Sequence, residues 1–146
     1  MLEKIMSKDL IVLDVNSSIY DVAKVMKEKD IGFIPFSDGN KIVGVLTDRD
    51  IVTRVLANQD DKIAGYLSTD LIKISSQASV EEALQIMKKH KIKRLLVEKD
   101  KKLVGVLSIS DLTNQSKKDL LETLQSIYAI NRNSNYYNVK INEFEL

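Results

Sequence analysis

Hydrophobic and polar residues follow the same order twice along the chain. In each copy a short apolar stretch (residues 10–13 and 71–74) precedes a segment whose apolar residues recur at helical spacing. Two β-type apolar runs follow, at 33–36 and 42–46 in the first copy, and a second helical segment comes after them. Spacings of three and four residues indicate a helix, and short apolar runs between turn residues indicate strands. The pattern predicts a β-α-β-β-α unit that occurs twice.

The two copies align without a gap. Residues 5–53 match residues 66–114 at a constant offset of 61 positions. The match is strongest where KIVGVLTDRDIV in the first copy aligns with KLVGVLSISDLT in the second. Both segments keep a glycine, then a hydroxyl residue and an aspartate three positions after it, as in Gly44, Thr47 and Asp50. Duplication of one folding unit explains this regularity.

Each predicted first helix begins at a serine. Ser18 is followed by Asp21, and Ser79 by Glu82, three positions later. A serine with an acidic residue at this spacing is a capping-box signal, and the glutamate of the second copy makes it stronger. The helix after the first motif is predicted to carry four apolar side chains on one face: Ile51, Val52, Val55 and Leu56.

Pro35 interrupts the first β-type run. Proline has no backbone N–H, so sheets tolerate it at edges, strand ends and bulges. We therefore expect Pro35 at a strand edge or end, where it leaves a neighbouring carbonyl without a donor.

The repeat ends at residue 114, and a different pattern of apolar residues follows it. Ser116 with Asp119 predicts the start of a helix, whose apolar stripe would be Leu120, Leu121, Leu124, Ile127 and Tyr128. Alternating apolar residues at 137–141 predict a strand in the tail. The predicted organisation is thus one unit at 1–62, a second at 63–114, and a helix with a strand-like tail at 115–146.

Composition narrows the class of protein. There is no cysteine, which excludes disulfides and thiolate metal sites. No apolar run approaches the roughly twenty residues of a membrane helix, and the N-terminus lacks a signal-peptide core. The net charge of +1 argues against a nucleic-acid partner. We expect a cytoplasmic protein without a membrane or nucleic-acid partner.

Charge is unevenly divided between the copies. Residues 1–62 hold nine cationic and eleven acidic side chains, a net of −2. Residues 63–114 hold nine and six, a net of +3, and residues 115–146 hold four of each. An anionic ligand would therefore favour the second copy.

The repeated hydroxyl-x-x-Asp motif allows two interpretations. In the first, Thr47 and Ser108 are helix N-caps, Asp50 and Asp111 reach back to them, and the preceding glycines allow close packing. In the second, the same groups also hold a nucleoside, because an ionised carboxylate has two oxygens that accept from the hydroxyls of a ribose.

With these motifs, the chain resembles a stand-alone protein made of two cystathionine-β-synthase (CBS) domains, a tandem called a Bateman module. The resemblance covers about residues 1–114 and lies in DIGFIPF and GVLTDRDIV of the first copy and in MKKHKIKRLLV and GVLSISDL of the second. It implies an α+β fold in which two units pack sheet against sheet about a pseudo-twofold axis and leave two clefts. It also implies adenosine-containing ligands: AMP, ADP, ATP, S-adenosylmethionine or cyclic di-adenylate.

The resemblance assigns provisional roles to individual residues. Asp50 and Asp111 would hold ribose hydroxyls, with Thr47 and Ser108 near the phosphate. The base would be faced by backbone and apolar groups near 32–35 and 93–96, among them Ile34, Pro35 and Leu95. Apart from the resemblance, the residues themselves offer candidate cations for the phosphate, which are Arg49 and Arg54 in the first copy and Lys93 and Arg94 in the second.

Two features qualify these roles. The cations of 88–94 also suit a helix C-terminus, which attracts positive charge. Leu96 stands where the family often has proline, and Val12 and Lys73 stand where a threonine is common.

The sequence therefore predicts a regulatory adenine-nucleotide-binding module, not an enzyme, with no cofactor besides the nucleotide ligand. The small number of candidate cations favours AMP, ADP or cyclic di-adenylate over ATP. We also expect a homodimer to which 117–146 contributes, and a target protein that the sequence does not identify. The rival hypotheses are a ligand-independent dimerisation and interaction module and a small nucleotide-processing or nucleic-acid-binding protein.

Overall fold

The computed structural model describes residues 1–114 and 117–129. The predicted tail strand at 137–141 and the predicted cap at Ser116 lie outside the described residues. The described chain confirms the α+β architecture and the repeated order of elements, which are β1 (Leu13–Asp14), α1 (Ile19–Lys29), β2 (Phe33–Ser37), β3 (Ile42–Thr47), α2 (Asp48–Asp50), β4 (Lys73–Ser75), α3 (Val80–His90), β5 (Arg94–Lys99), β6 (Lys102–Ser108) and α4 (Lys117–Tyr128). None of the helices in these two ranges is long and apolar enough to cross a membrane.

Each unit contains a three-stranded sheet, with strand orders β1-β2-β3 and β4-β5-β6. The first strand runs parallel to the middle strand, which pairs antiparallel with the third. In this register Phe33 lies opposite Thr47, and Arg94 lies opposite Ser108. The start of each middle strand therefore adjoins the hydroxyl residue of its own unit's motif.

The predicted difference between the two serine caps is confirmed. In α1 the Ser18 hydroxyl accepts from the Asp21 N–H, at 3.1 Å. In α3 the bonding is reciprocal, because the Ser79 N–H also donates to Glu82 Oε2 at 2.7 Å. Glutamate reaches back to the N-cap backbone where the shorter aspartate instead accepts from the serine hydroxyl.

The helix after the first motif is longer than its counterpart in the second unit. From α2 it continues through a π turn (Ile51–Val55) and a 3₁₀ turn (Leu56–Asn58), whereas the second copy forms only one 3₁₀ turn (Ile109–Leu112). The four apolar residues that were predicted to share one face differ in burial. Ile51 and Val55 are buried, whereas Val52 is 60% and Leu56 49% exposed.

Pro35 lies inside the middle strand β2 and not at a strand end. β1 pairs with β2 only at Phe36 and Ser37, so the side of Pro35 that faces β1 is unpaired, as expected for a proline at a local strand edge. In the second unit Leu96, at the equivalent position, donates its N–H to the Ile72 carbonyl at 3.2 Å. Pro35 has no N–H to donate to the equivalent Ile11 carbonyl. This missing bond accounts for the shorter β1, of two residues against three in β4.

The N-terminal segment of each unit packs against the other unit. These crossing segments are residues 2–7 of the first unit and residues 63–68 of the second. Leu2 and Met6 are buried in the core of the second unit, whereas Ile63 is buried in the core of the first. The crossing segments add backbone pairs to the third strand of the other unit, Ser7 with Val106 and Ser68 with Val45. Reciprocal contacts of this kind indicate twofold pseudosymmetry between the units. The boundary between the two units at residue 62 stays a prediction.

The repeated glycines make room for the crossing segments. A Cβ atom on Gly44 would lie 2.7 Å from Leu67 Cβ, and one on Gly105 would lie 2.9 Å from the Ser7 carbonyl oxygen. Real Cβ atoms essentially never come closer than 3.0 Å to such neighbours. The structure thus supports the close-packing interpretation of both glycines.

Helix α4 packs along α3 and covers part of the second core. Leu120 contacts that core, and Thr123 is buried. An ion pair between Lys88 and Glu122, at 3.8 Å, links the two helices. Only part of the predicted apolar stripe therefore packs against the second core, since Leu121 and Tyr128 remain exposed.

Candidate functional site

A cavity between the units, here called cleft A, has a volume of about 330 Å³. Its walls include the first motif at 47–50 together with residues 70–72 and 91–94 of the second copy. The predicted site residues Thr47, Arg49, Asp50, Lys93 and Arg94 all line it.

A second cavity, here called cleft B, has a volume of about 220 Å³. Its walls include Ser108 and Ser110 of the second motif together with residues 9–11 and 30–33 of the first copy. Of the predicted site residues, Pro35, Ser108 and Arg94 line it.

The two clefts are counterparts under the repeat. Subtracting or adding 61 converts 70–72 into 9–11 and 91–94 into 30–33. Each cleft therefore combines the hydroxyl motif of one copy with the strand start of the other. Each copy alone has only half of each site, which is why the sequence did not show this pairing.

In cleft A, Thr47 and Asp50 form a complete capping box. The Asp50 N–H donates to Thr47 Oγ1 at 3.1 Å, and Asp50 Oδ2 accepts from the Thr47 N–H and hydroxyl at 3.0 and 2.9 Å. The other carboxylate oxygen, Oδ1, lies 3.6 Å from Nη1 of Arg54, whose side chain is 43% exposed. The capping interpretation is confirmed, and one carboxylate oxygen is outside the box.

The second motif has the same arrangement. The Ser108 N–H donates to Asp111 Oδ2 at 2.8 Å, and the Asp111 N–H donates to Ser108 Oγ at 3.3 Å. The hydroxyls of Ser108 and Ser110 lie 2.6 Å apart. Asp111 is half-buried beside cleft B and is not among the residues that line it.

Phe33 and Arg94 form a wall shared by the two clefts. They occupy equivalent positions in the repeat, and both line both cavities. The Arg94 guanidinium carbon lies 5.9 Å from the centroid of the Phe33 ring, within the range of a cation–π contact. One guanidinium therefore lies between two potential ligands.

The clefts differ in charge. Within the described part of the chain, four cationic and three acidic side chains line cleft A, which are Arg49, Lys91, Lys93, Arg94, Asp48, Asp50 and Asp70. Among the described residues that line cleft B, Arg94 is the sole cation and the acids are Asp9 and Asp30.

Two predicted site residues have their side chains elsewhere. Ile34 and Leu95 are fully buried, in the first and second core respectively, and line neither cleft. Their side chains are not accessible to a ligand in either cleft. Contact through their backbone stays a prediction.

Sequence reasoning missed several lining residues. Asp9 and Asp70 are an identical pair in the repeat, and that identity was the available signal. Lys91 and Asp30 are the C-caps of their helices, with φ of 56° and 52°. Residues that end helices have a structural role of their own, so nothing in the sequence indicated that these two also line the clefts.

Comparison with known proteins supports the assignment of the fold. The family model for the CBS domain matches residues 2–57 and 61–124. The protein YlbB of Bacillus subtilis is 34% identical over 117 residues, which cover 77% of this chain and 79% of YlbB. YhcV of the same organism, a CBS domain-containing protein, is 33% identical and covers 73% of this chain and 79% of its own.

Solved structures agree. The CBS domain protein TA0289 of Thermoplasma acidophilum superposes with a TM-score of 0.77 at 23% identity, covering 86% of this chain and 74% of its own. The CBS domain pair of protein MJ0100, in complex with 5′-methylthioadenosine and S-adenosyl-L-methionine, superposes with a TM-score of 0.71 at 26% identity, covering 77% of this chain and 92% of its own. The chain therefore belongs to the CBS-domain family, as a protein with two CBS domains in tandem.

Proposed function

We propose that this protein is a regulatory module that binds adenosine-containing ligands in the clefts between its two CBS domains. The observation that carries the proposal is the position of Asp50, which lines cleft A with one carboxylate oxygen outside the capping box. The related CBS pair of MJ0100, which carries two adenosine compounds, supports the same ligand class.

The proposed mode of binding follows from the lining of cleft A. Asp50 Oδ1 would accept from ribose hydroxyls, displacing the weak contact with Arg54 at 3.6 Å. Thr47 and Arg49 would lie toward the phosphate. The flat base would rest between apolar groups such as Ile72 and Leu96 on the opposite wall. Because Asp50 also caps the helix, ligand binding would be coupled to the helix that follows it.

Charge favours a ligand with few phosphates. The lining side chains of cleft A sum to +1, from four cations and three carboxylates. A triphosphate without a metal carries about four negative charges, which this balance would neutralise poorly. We therefore propose AMP, ADP or cyclic di-adenylate, in preference to ATP, as the physiological ligand class.

A panel of melting experiments tests this proposal. A ligand at 100 times its dissociation constant stabilises the folded state by about 2.7 kcal/mol, which a thermal melt resolves. We expect clear stabilisation by AMP, ADP or cyclic di-adenylate, a smaller effect from ATP without magnesium, and little from GMP, which matches AMP in charge. No response to any adenine compound would favour the ligand-independent interaction module. A largest effect from ATP would refute the charge argument.

Binding would regulate a partner by biasing how the two units pack or how two chains associate. The clefts need no chemical step for this role, and we assign the lining carboxylates to binding. We place this role in the cytoplasm, and the target protein remains to be found.

A homodimer is part of the proposal. The described surface exposes apolar side chains on α1, on the helix after the first motif and on α4, namely Tyr20, Val52, Leu56, Leu121 and Tyr128. Light scattering would compare the full chain with Val52→Ser/Leu56→Ser and with Leu121→Ser/Tyr128→Ser. We expect a dimer that the second pair weakens, and a dimer unchanged by both pairs would place the interface elsewhere.

A further inference from the structure

We propose that the two clefts take different adenosyl ligands: cleft A a phosphorylated one, and cleft B one whose 5′ substituent is uncharged or cationic. This inference rests on the proposed function and assigns a ligand class to each cleft. It starts from a comparison of equivalent positions, since the repeat supplies a matched partner for nearly every lining residue.

Three of the cationic residues that line cleft A have an uncharged or acidic residue at the equivalent position of cleft B. Arg49 corresponds to Ser110, Lys91 to Asp30, and Lys93 to Gly32. Of the cations that line cleft A, only Arg94 also lines cleft B. These three replacements remove every cation that cleft A does not share.

The resulting charges have opposite sign. Cleft A sums to +1, from four cations and three acids, whereas cleft B sums to −1, from Arg94 against Asp9 and Asp30. Arg94 is moreover held over the Phe33 ring, on the wall between the clefts. A phosphate in cleft B would therefore meet two carboxylates and one shared guanidinium, which favours a ligand without a phosphate.

The lining of cleft B suits recognition of a neutral nucleoside. Pro35 and Ile11 both line it, and proline leaves the Ile11 carbonyl without the sheet donor that Leu96 supplies to Ile72 in the other copy. An adenine amino group is a donor of the kind that such a carbonyl accepts. The smaller volume of cleft B, about 220 Å³ against about 330 Å³, also favours a ligand that lacks phosphates.

Calorimetric titration of the full chain with AMP and with 5′-methylthioadenosine tests the division, because the two probes differ only in the 5′ substituent. For the wild type we expect one AMP per chain. Arg49→Ser/Lys93→Gln removes two exposed cations from cleft A, and we expect AMP affinity to fall by about tenfold or more. The site that binds 5′-methylthioadenosine should keep its affinity within about twofold. Lys24→Gln/Lys27→Gln on α1, outside both clefts, is the charge-matched control and should leave AMP affinity unchanged.

The reverse exchange gives cleft B the cations of cleft A. Asp30→Lys/Ser110→Arg should create a second AMP site, raising the stoichiometry from one to two per chain, and should weaken 5′-methylthioadenosine binding. Two equivalent AMP sites in the wild type would overturn the division. So would equal losses for both probes in Arg49→Ser/Lys93→Gln, or a stoichiometry that the reverse exchange leaves at one. Absence of binding by either probe to the wild type would instead refute the proposed function itself.

Discussion

The two CBS units share the glycines and serines at which they bridge one another and differ in the cations that line their clefts. The glycines at the crossing segments, Gly44 and Gly105, are identical, and so are the bridging serines Ser7 and Ser68. The cationic positions of the clefts differ between the copies, as in Arg49 against Ser110. Contacts that hold the two units together constrain both copies equally, whereas each cleft needs only its own ligand. The difference between the clefts is therefore the most informative feature for function.

The largest expected effect is a difference in AMP affinity between variants of the two motif aspartates, Asp50 and Asp111. Loss of a hydrogen bond to a charged group costs about 1.5–3 kcal/mol, or about 10- to 150-fold in affinity. Asp50→Ala should weaken AMP binding at cleft A by this factor. Asp111→Ala should leave AMP binding within about twofold. It should weaken 5′-methylthioadenosine binding in cleft B only indirectly, because Asp111 does not line that cleft but accepts from the N–H of Ser108, which does. Calorimetry on both variants measures this contrast.

A stability control accompanies this pair. Both substitutions remove the N3 carboxylate of a capping box, so denaturant unfolding should show losses of about 0.3–1.5 kcal/mol in each variant. The double variant Asp50→Ala/Asp111→Ala completes the set. If all three variants bind AMP and 5′-methylthioadenosine as tightly as the wild type, the aspartates have no role in ligand binding, and helix capping alone explains why they are repeated.

Much of the fold was predictable from sequence because the signals are local. The capping boxes, the helix faces of α1 and α3 and the order of strands all depend on residues close together in the chain. The exchange of Leu2 and Ile63 between the cores was not predictable, because a short apolar segment fits either core equally well. The same limit applies to the clefts, whose walls come from different copies.

A smaller effect concerns a buried polar group that only the second unit has. The Ser76 hydroxyl is fully buried and has no hydrogen-bond partner among the described residues, whereas the equivalent residue of the first unit is Val15. A buried unsatisfied hydroxyl costs about 1–3 kcal/mol. Ser76→Ala should therefore raise the free energy of unfolding by about 1 kcal/mol in denaturant titration. A loss of stability would mean that the hydroxyl has a partner.

The smallest effect concerns the segment that enters the first core. The pKa of Asp60 is lowered from 3.8 by a hydrogen bond from the Lys62 backbone and by one from the Tyr66 hydroxyl, at 3.0 Å. The equivalent of Tyr66 in the other crossing segment is Ile5, which has no hydroxyl. A lowered carboxyl pKa contributes stability above the unfolded value of 3.8 that is lost as the pH falls through the folded value.

Tyr66→Phe removes one of these bonds. The variant should melt slightly below the wild type at neutral pH, and the difference should vanish as the pH falls below 3.8. Ile5→Leu, at the equivalent position, is a control that should show no such pH dependence. A difference in melting temperature that persists unchanged in acid would mean that the Tyr66 hydroxyl stabilises the fold independently of the charge on Asp60.

A crystal structure of the full chain with AMP tests the central claim most directly. The account predicts one AMP per chain in cleft A, with its ribose hydroxyls within hydrogen-bond distance of Asp50 Oδ1 and its phosphate beside Arg49 and Lys93. AMP in cleft B with cleft A empty, or AMP bound away from Asp50, would contradict it.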